Sequence, residues 1–284
     1  IYFLDKNFIA KALNDAGIPF IITTHGTYSK PQTYTGKRAI VRHLYERRFL
    51  NRATEIHTLT REEGTSLQSY GYDGPVFVVP NGLALHEIPP MLPARKDTDG
   101  MLQGIWIGVL RDDKNLQALI RAVAAVPENI RAQFTISLVG PDYRNNTDLC
   151  RTLAQDLGVA DHFTFPGPVY GQDKFDAIEA ADFYIMPSHT EGMSLALLDA
   201  FAYGKPSLIT SGCYMNYYRD HDCFVTCEPY AHDIRQGIEE LFARRADWSD
   251  MGARAHKLAQ TQFNWPAVAR AMIPHYKRLT GDSV

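Results

Sequence analysis

Glu191 and Asp199, eight residues apart, flank a short polar loop that runs into an apolar helix. Ser188 to Ser194 form the loop, Leu195 to Tyr203 read as the helix, and Gly204 and Pro206 close it. The first turn of a helix has N–H groups without intrahelical partners, and the peptide dipoles add positive potential there. Gly192, Met193, Ser194 and Leu195 therefore make an anion site, with phosphate the natural occupant. Asp199 sits among Leu, Ala and Phe, where a carboxylate is costly unless something donates hydrogen bonds to it. Those donors are either groups of the fold or ligand hydroxyls such as those of a ribose; the sequence leaves both open. A second phosphate cradle is spelled by Gly108 at a strand end and Lys114 near the next helix start. His25, in Thr24-His25-Gly26 after an earlier strand, reads as a loop residue or a ligand contact.

These residues need a scaffold of alternating strands and helices. Lys6 to Ala16 is helical and ends at Gly17 and Pro19; Phe20 to Thr23 is a strand. A basic helix follows over residues 37–53, with Lys37, Arg38, Arg42, Arg47, Arg48 and Arg52 against the single acid Glu46. Ile40, Val41, Leu44, Tyr45, Phe49 and Leu50 give it an apolar side. It reads as a surface helix packed on the sheet, or as one lying on an anionic membrane. Glu55 to Thr60 and Val76 to Val79 are strands around a helix from Arg61 to Tyr70. Leu83 to Gly100, with Pro89, Pro90 and Pro93 and charges between Arg95 and Asp99, has linker composition. Beyond it, strands at Gly104 to Val109, Phe134 to Val139, Phe163 to Gly167, Phe183 to Met186 and Ser207 to Thr210 alternate with helices. That alternation specifies a doubly wound parallel sheet with ligands at the carboxyl ends of the strands, where Gly108, Lys114 and Glu191 all fall. The chain opens on Ile1 directly into a helix, so it reads as N-terminally incomplete, with earlier strands missing.

Length and composition narrow the class. A chain of 284 residues suggests about two domains. A composition 45% hydrophobic and 21% charged is that of an ordinary globular protein, and a net charge of −3 gives no general case for nucleic acid. No apolar run approaches the roughly 18 residues of a membrane span. Four cysteines make no disulfide framework, which fits the cytoplasm. His221-x-Cys223-x3-Cys227 lacks paired ligands elsewhere, so packing of the thiols is expected and no metal site is assigned.

The stretch Pro187-Ser188-x-x-Glu191-Gly192, the second acid Asp199, and Ala200-x-Ala202-x-Gly204-Lys205-Pro206 resemble the Glu-x7-Glu signature of the retaining family 4 glycosyltransferases. Thr24-His25-Gly26, Pro80-Asn81-Gly82, Gly108-x-Leu110-x3-Lys114-Asn115 and Phe263-x-Trp265 follow that family's order. The second acid is Asp where the family has Glu, and Val109 stands at the family's Arg, with Arg111 two residues on. The resemblance implies the α/β GT-B fold, two Rossmann-like domains facing a cleft, here with the first truncated. It implies a partial acceptor-side domain over residues 1–88, a nucleotide-sugar-binding domain over residues 89–264, and a C-terminal helix over residues 265–284 packing back on the first domain.

In function, the resemblance implies transfer of a sugar with retention from a nucleotide diphosphate-sugar donor to an acceptor hydroxyl, in polysaccharide or glycolipid synthesis. Glu191 and His25 would then be catalytic, with Glu191 on the donor sugar's hydroxyls. Gly108, Arg111, Lys114, Gly192, Met193, Ser194, Leu195 and Asp199 would bind the donor. The fold needs no metal or cofactor, because basic side chains and helix N-termini stabilise the leaving diphosphate. The implied partners are the donor, a carbohydrate or lipid-linked acceptor, and a membrane surface met by helix 37–53. Two rivals stand beside this reading: a nucleotide-sugar-binding protein without catalysis, and a nucleotide-sugar epimerase on the same fold. No Gly-x-Gly-x-x-Gly follows any strand, which argues against an NAD-linked oxidoreductase.

Overall fold

A computed structural model describes residues 2–29, 37–92 and 100–281, and no side-chain placement is given for residues 2–4 and 37–42. The side chains of Lys37, Arg38, Ile40, Val41 and Arg42 therefore lie outside the description, as do Pro93 and the linker charges from Arg95 to Asp99.

In chain order the elements are α1 (Tyr2–Asp15), β1 (Ile21–Thr23), α2 (Lys37–Leu50), β2 (Glu55–Thr58), α3 (Arg61–Ser66), β3 (Val76–Val78), β4 (Leu102–Ile107), α4 (Leu116–Ala125) and α5 (Glu128–Arg131). They continue with β5 (Phe134–Val139), α6 (Asn146–Asp156), β6 (Phe163–Gly167), α7 (Gln172–Ala180), β7 (Phe183–Met186), α8 (Leu195–Ala202), β8 (Ser207–Thr210), β9 (Phe224–Cys227), α9 (Ala231–Ala243), α10 (Trp248–Thr261) and α11 (Trp265–Thr280). Among the described residues no helix is long and apolar enough to cross a membrane.

The chain divides into two compact units, one ending at Asn81 and rejoined from Trp265, the other running from Gly82 to Asn264. The expected boundary after residue 88 thus moves to Asn81. Residues 82–88 join the second unit because Leu83 donates its N–H to the Phe263 carbonyl at 2.8 Å, pairs with Asn264, and is buried with Ile88. Pro89 and Pro90 fall inside the second unit, so backbone pairing and not proline content decides where the chain belongs.

In the first unit, β1, β2 and β3 form a parallel sheet in that order. The basic helix stops at Leu50 rather than residue 53, and its one acid faces inward: Glu46 is buried, ion-paired to Lys6 at 2.8 Å and accepting from the Tyr28 hydroxyl at 2.7 Å. α11 is held to β2 through Glu55, whose carboxylate meets His275 Nδ1 at 2.8 Å and Arg278 at 2.7 Å. Phe77 stacks between His275, centroids 3.5 Å apart, and His57, 5.1 Å apart.

Burial alone would raise the Glu55 carboxyl, but bonds from His275 and Arg278 outweigh it and hold it below its ordinary value. A carboxyl lowered in the folded state adds stability above its unfolded value, and that stability is lost as pH falls through the folded value. Acidification below the ordinary carboxylate range should therefore loosen α11, raising amide hydrogen exchange along it. The Glu55→Gln variant should exchange fast at neutral pH and change little on acidification. An α11 equally protected across that range in both proteins would dismiss the clamp.

The second unit is one six-stranded parallel sheet in the order β6-β5-β4-β7-β8-β9. β7 and β8 are buried at every position, as expected of central parallel strands covered on both faces. Trp106, Phe134, Phe183 and Trp248 fill the core under α4 and α9. The order reverses between β4 and β7, which leaves a crevice at their carboxyl ends for a ligand.

Candidate functional site

At that crevice the loops following β4 and β7 meet. Gly108 continues β4 past its last residue, donating its N–H to the Val139 carbonyl at 3.0 Å. The carbonyl of Gly108 lies where a Cβ on Gly140 would stand, 1.7 Å away, and Gly140 has a φ of +147°. Only glycine fits there, so the loops after β4 and β5 run backbone against backbone.

Asn115 pins the other side. It adopts a left-handed conformation and its amide donates to the Pro187 and Pro229 carbonyls, both at 2.9 Å. The N–H of His189 donates to the Asp113 carbonyl at 3.0 Å, tying the loop after β7 to the loop after β4. α8 then starts at Leu195, with Ser194 as its cap accepting from the Leu197 N–H.

Together these elements enclose a cavity of about 250 Å³, lined by Trp106, Ile107, Gly108, Val109, Arg111, Lys114, Met186, Glu191, Ser194 and Ala196. Five of the expected site residues thus come together: Gly108, Arg111, Lys114, Glu191 and Ser194. Lys114 grips the Glu191 carboxylate with its ammonium 2.8 and 2.9 Å from the two oxygens. The Ser188 hydroxyl also donates to Glu191 at 2.6 Å. Arg111 is forked onto Asp113 at 2.5 and 2.7 Å. That pairing lowers the Asp113 carboxyl and raises the Arg111 guanidinium.

The remaining candidates lie elsewhere. Met193 is buried, and Leu195, at the first position of α8, is half exposed. Gly192 stands in the loop behind Ser194, where nothing singles it out. Asp199 is 3% exposed and pairs with Lys174 of α7 at 2.8 Å, so in the free protein a side chain of the fold supplies its donor. Burial still prevails over Lys174 and raises the Asp199 carboxyl. His25 stands exposed in the first unit, in the turn after β1, with a φ of +46°. Among the described residues no group of three or more His, Cys, Asp and Glu is placed to hold a metal ion. The Cys223 thiol is buried and thereby pushed up to about 12.

Sequence reasoning did not pick out Asp113, Lys174 or Trp106. An acid beside each cation of the cradle was visible in Asp112-Asp113-Lys114, but which acid pairs with which cation was not.

Residues 100–258 match the family described as "Glycosyl transferases group 1", and residues 6–87 match "Glycosyltransferase Family 4". The lipopolysaccharide glucosyltransferase WaaG of Escherichia coli is 30% identical over 169 residues, covering 56% of this chain and 43% of that protein. A D-inositol 3-phosphate glycosyltransferase of Mycobacteroides abscessus is 24% identical over 94% of this chain and 62% of its own length. The chain thus spans about half the length of these relatives. Among solved structures, Anabaena Alr3699/HepE in complex with UDP aligns at a TM-score of 0.80, with 16% identity, over 97% of this chain and 77% of that one. The sucrose-phosphate synthase of Thermosynechococcus elongatus aligns at 0.74, with 22% identity, over 93% and 68%. Both are likenesses of fold, and with the two family matches they set the classification: the chain belongs to the group 1 glycosyl transferases, family 4, on the GT-B architecture.

Proposed function

We propose that the protein transfers a sugar, with retention, from a nucleotide diphosphate-sugar donor to an acceptor hydroxyl in polysaccharide or glycolipid synthesis. The observation that carries this reading is the cavity at the switch point of the second sheet, where Lys114, Arg111 and the start of α8 converge opposite Glu191. In the transfer the bond from the sugar's anomeric carbon to the phosphate oxygen breaks, the acceptor oxygen bonds to that carbon, and its proton passes to the departing diphosphate or to water. Charge develops on the leaving diphosphate, and fixed cations and helix N–H groups aimed there lower the barrier. Lys114 and Arg111 would take the phosphates, Glu191 the hydroxyls of the donor sugar, and Asp199 the ribose. His25 would serve the acceptor or donor sugar. UDP in the Anabaena relative supports a nucleotide in this fold.

On this reading Lys114, Arg111 and the helix N–H groups answer the diphosphate once it displaces their acids, which leaves no task for a divalent ion. A rival reading, a donor-binding protein without transfer, draws support from Lys114 and Arg111 being neutralised by Glu191 and Asp113 and from Val109 in the lining. One assay decides both points. Slow hydrolysis of the nucleotide-sugar without acceptor is the expected outcome, at the same rate with and without EDTA. Binding without any hydrolysis or transfer would favour the rival, and strict dependence on Mg²⁺ or Mn²⁺ would require another catalytic arrangement.

For location we propose the cytoplasm, with peripheral contact at a membrane. Exposed Leu44, Arg47 and Arg48 on α2 are the residues for that contact. Co-sedimentation with anionic vesicles but not neutral ones is expected, and Arg47→Glu with Arg48→Glu should abolish it. Equal recovery in the absence of vesicles and with both kinds would discard the contact.

A further inference from the structure

Each cation lining the cavity is already matched by an acid, and the two acids are differently held. Glu191 comes from the loop after β7 and also accepts from Ser188. Asp113 comes from the same loop as the cations it faces. Its two oxygens take two N–H groups of Arg111, and Oδ2 lies 3.9 Å from the Lys114 ammonium. A forked carboxylate fills the edge of a guanidinium that a phosphate would otherwise use. The Asp113 main chain is fixed by the bond from His189, so the carboxylate is held beside the cavity's cations by backbone. Val109, 40% exposed, lines the same cavity and supplies no charge. Arg111 is therefore the second cation available there, and Asp113 occupies it.

We infer that Asp113 is a built-in counter-ion which a diphosphate must displace: it holds Arg111 until an anion competes for it and sets how tightly, and how selectively by charge, that anion binds. The inference rests on the cavity being a diphosphate site. The Arg111 and Asp113 side chains are 49% and 30% exposed, so their pair adds little to folding stability. Against a ligand of two or three negative charges the same carboxylate both competes and repels, within the roughly 8 Å over which charges act at physiological salt.

The test is calorimetric binding of UDP and of uridine to the native chain, Asp113→Asn, Arg111→Gln and the double variant, with melting of each unliganded protein as the control for folding. Asp113→Asn keeps the size and shape of the side chain, and Asp113→Ser serves as a second variant should the first melt early. Removing the charge should tighten UDP about three- to tenfold, the scale of one screened charge on a multivalent anion, and leave uridine unchanged. In the Arg111→Gln background that gain should vanish. A native chain binding UDP no better than uridine would remove the diphosphate reading and this inference together. Native UDP binding that stays the same or weakens in Asp113→Asn would overturn the inference alone, since Asp113 would then be neutral or would position Arg111 for the phosphate. So would an equal gain with Arg111 absent, because Asp113 would then act without holding that cation.

Discussion

Lys114→Ala is expected to weaken nucleoside diphosphate binding about 10- to 100-fold, the scale of one charge-assisted hydrogen bond, and to leave the bare nucleoside almost untouched. The substitution also strands Glu191, whose side chain is 10% exposed and would keep only the Ser188 hydroxyl as donor. Breaking a fully buried pair costs several kcal/mol, and with both partners slightly exposed the loss of folding stability should be about 1–3 kcal/mol. The two effects need separating, because a weakened fold also weakens binding. Lys114→Ala with Glu191→Gln removes the stranded charge. Its melting temperature should recover most of the loss, while its diphosphate affinity stays low. Equal losses for nucleoside and diphosphate would take Lys114 out of the phosphate site. Full recovery of diphosphate affinity in the double variant would mean that the lysine serves only to neutralise Glu191.

Asp199→Asn should move stability and binding in opposite directions. Burial raises the Asp199 carboxyl despite the bond from Lys174. For an acid raised in the folded state, the folded form gains from protonation, and stability falls as pH rises through the unfolded and then the folded value. At neutral pH the ionised carboxylate is thus a net burden on the free protein. The Asn variant should melt at or above the native temperature. Lys174, 26% exposed and 4.2 Å over the Phe175 ring, keeps access to water when its partner's charge is removed.

Nucleotide affinity should nevertheless drop by roughly 1–3 kcal/mol if the ionised acid accepts ribose hydroxyls. A 2′-deoxynucleotide should bind the native chain more weakly than its ribose counterpart and show much less difference against the variant. Asp199→Glu, which adds the methylene seen in the family's second acid, should retain the preference for ribose. A sharp fall in melting temperature together with an unchanged deoxy penalty would assign Asp199 to structure, with Lys174 as its true partner. An acid kept at a cost to the unliganded fold is the pattern expected where function opposes stability.

Much of this protein was legible locally. Short apolar runs ending at or near Pro or Gly gave five of the six strands of the second sheet to within a residue or two, because buried parallel strands have near-continuous apolar sequence. The polar loop ending at Ser194 and the stop at Gly204 and Pro206 bounded α8, and the alternation of strand with helix gave the fold class. The motifs that place the chain in its family are local as well, since each is a few consecutive residues at a strand end, a turn or a helix start. Tertiary structure alone decided what those pieces do to one another. Reversal of strand order puts β4 beside β7, bringing Lys114 against Glu191 across 77 residues of chain. Lys174 reaches Asp199 across 25, and backbone pairing of Leu83 with Phe263 and Asn264, not the prolines, drew the boundary between the units. Propensity and spacing act over one or two turns of chain. Arg111 finds Asp113 within its own loop, but the charge on Lys114 is answered by a partner that only sheet order and loop-to-loop hydrogen bonding bring within reach.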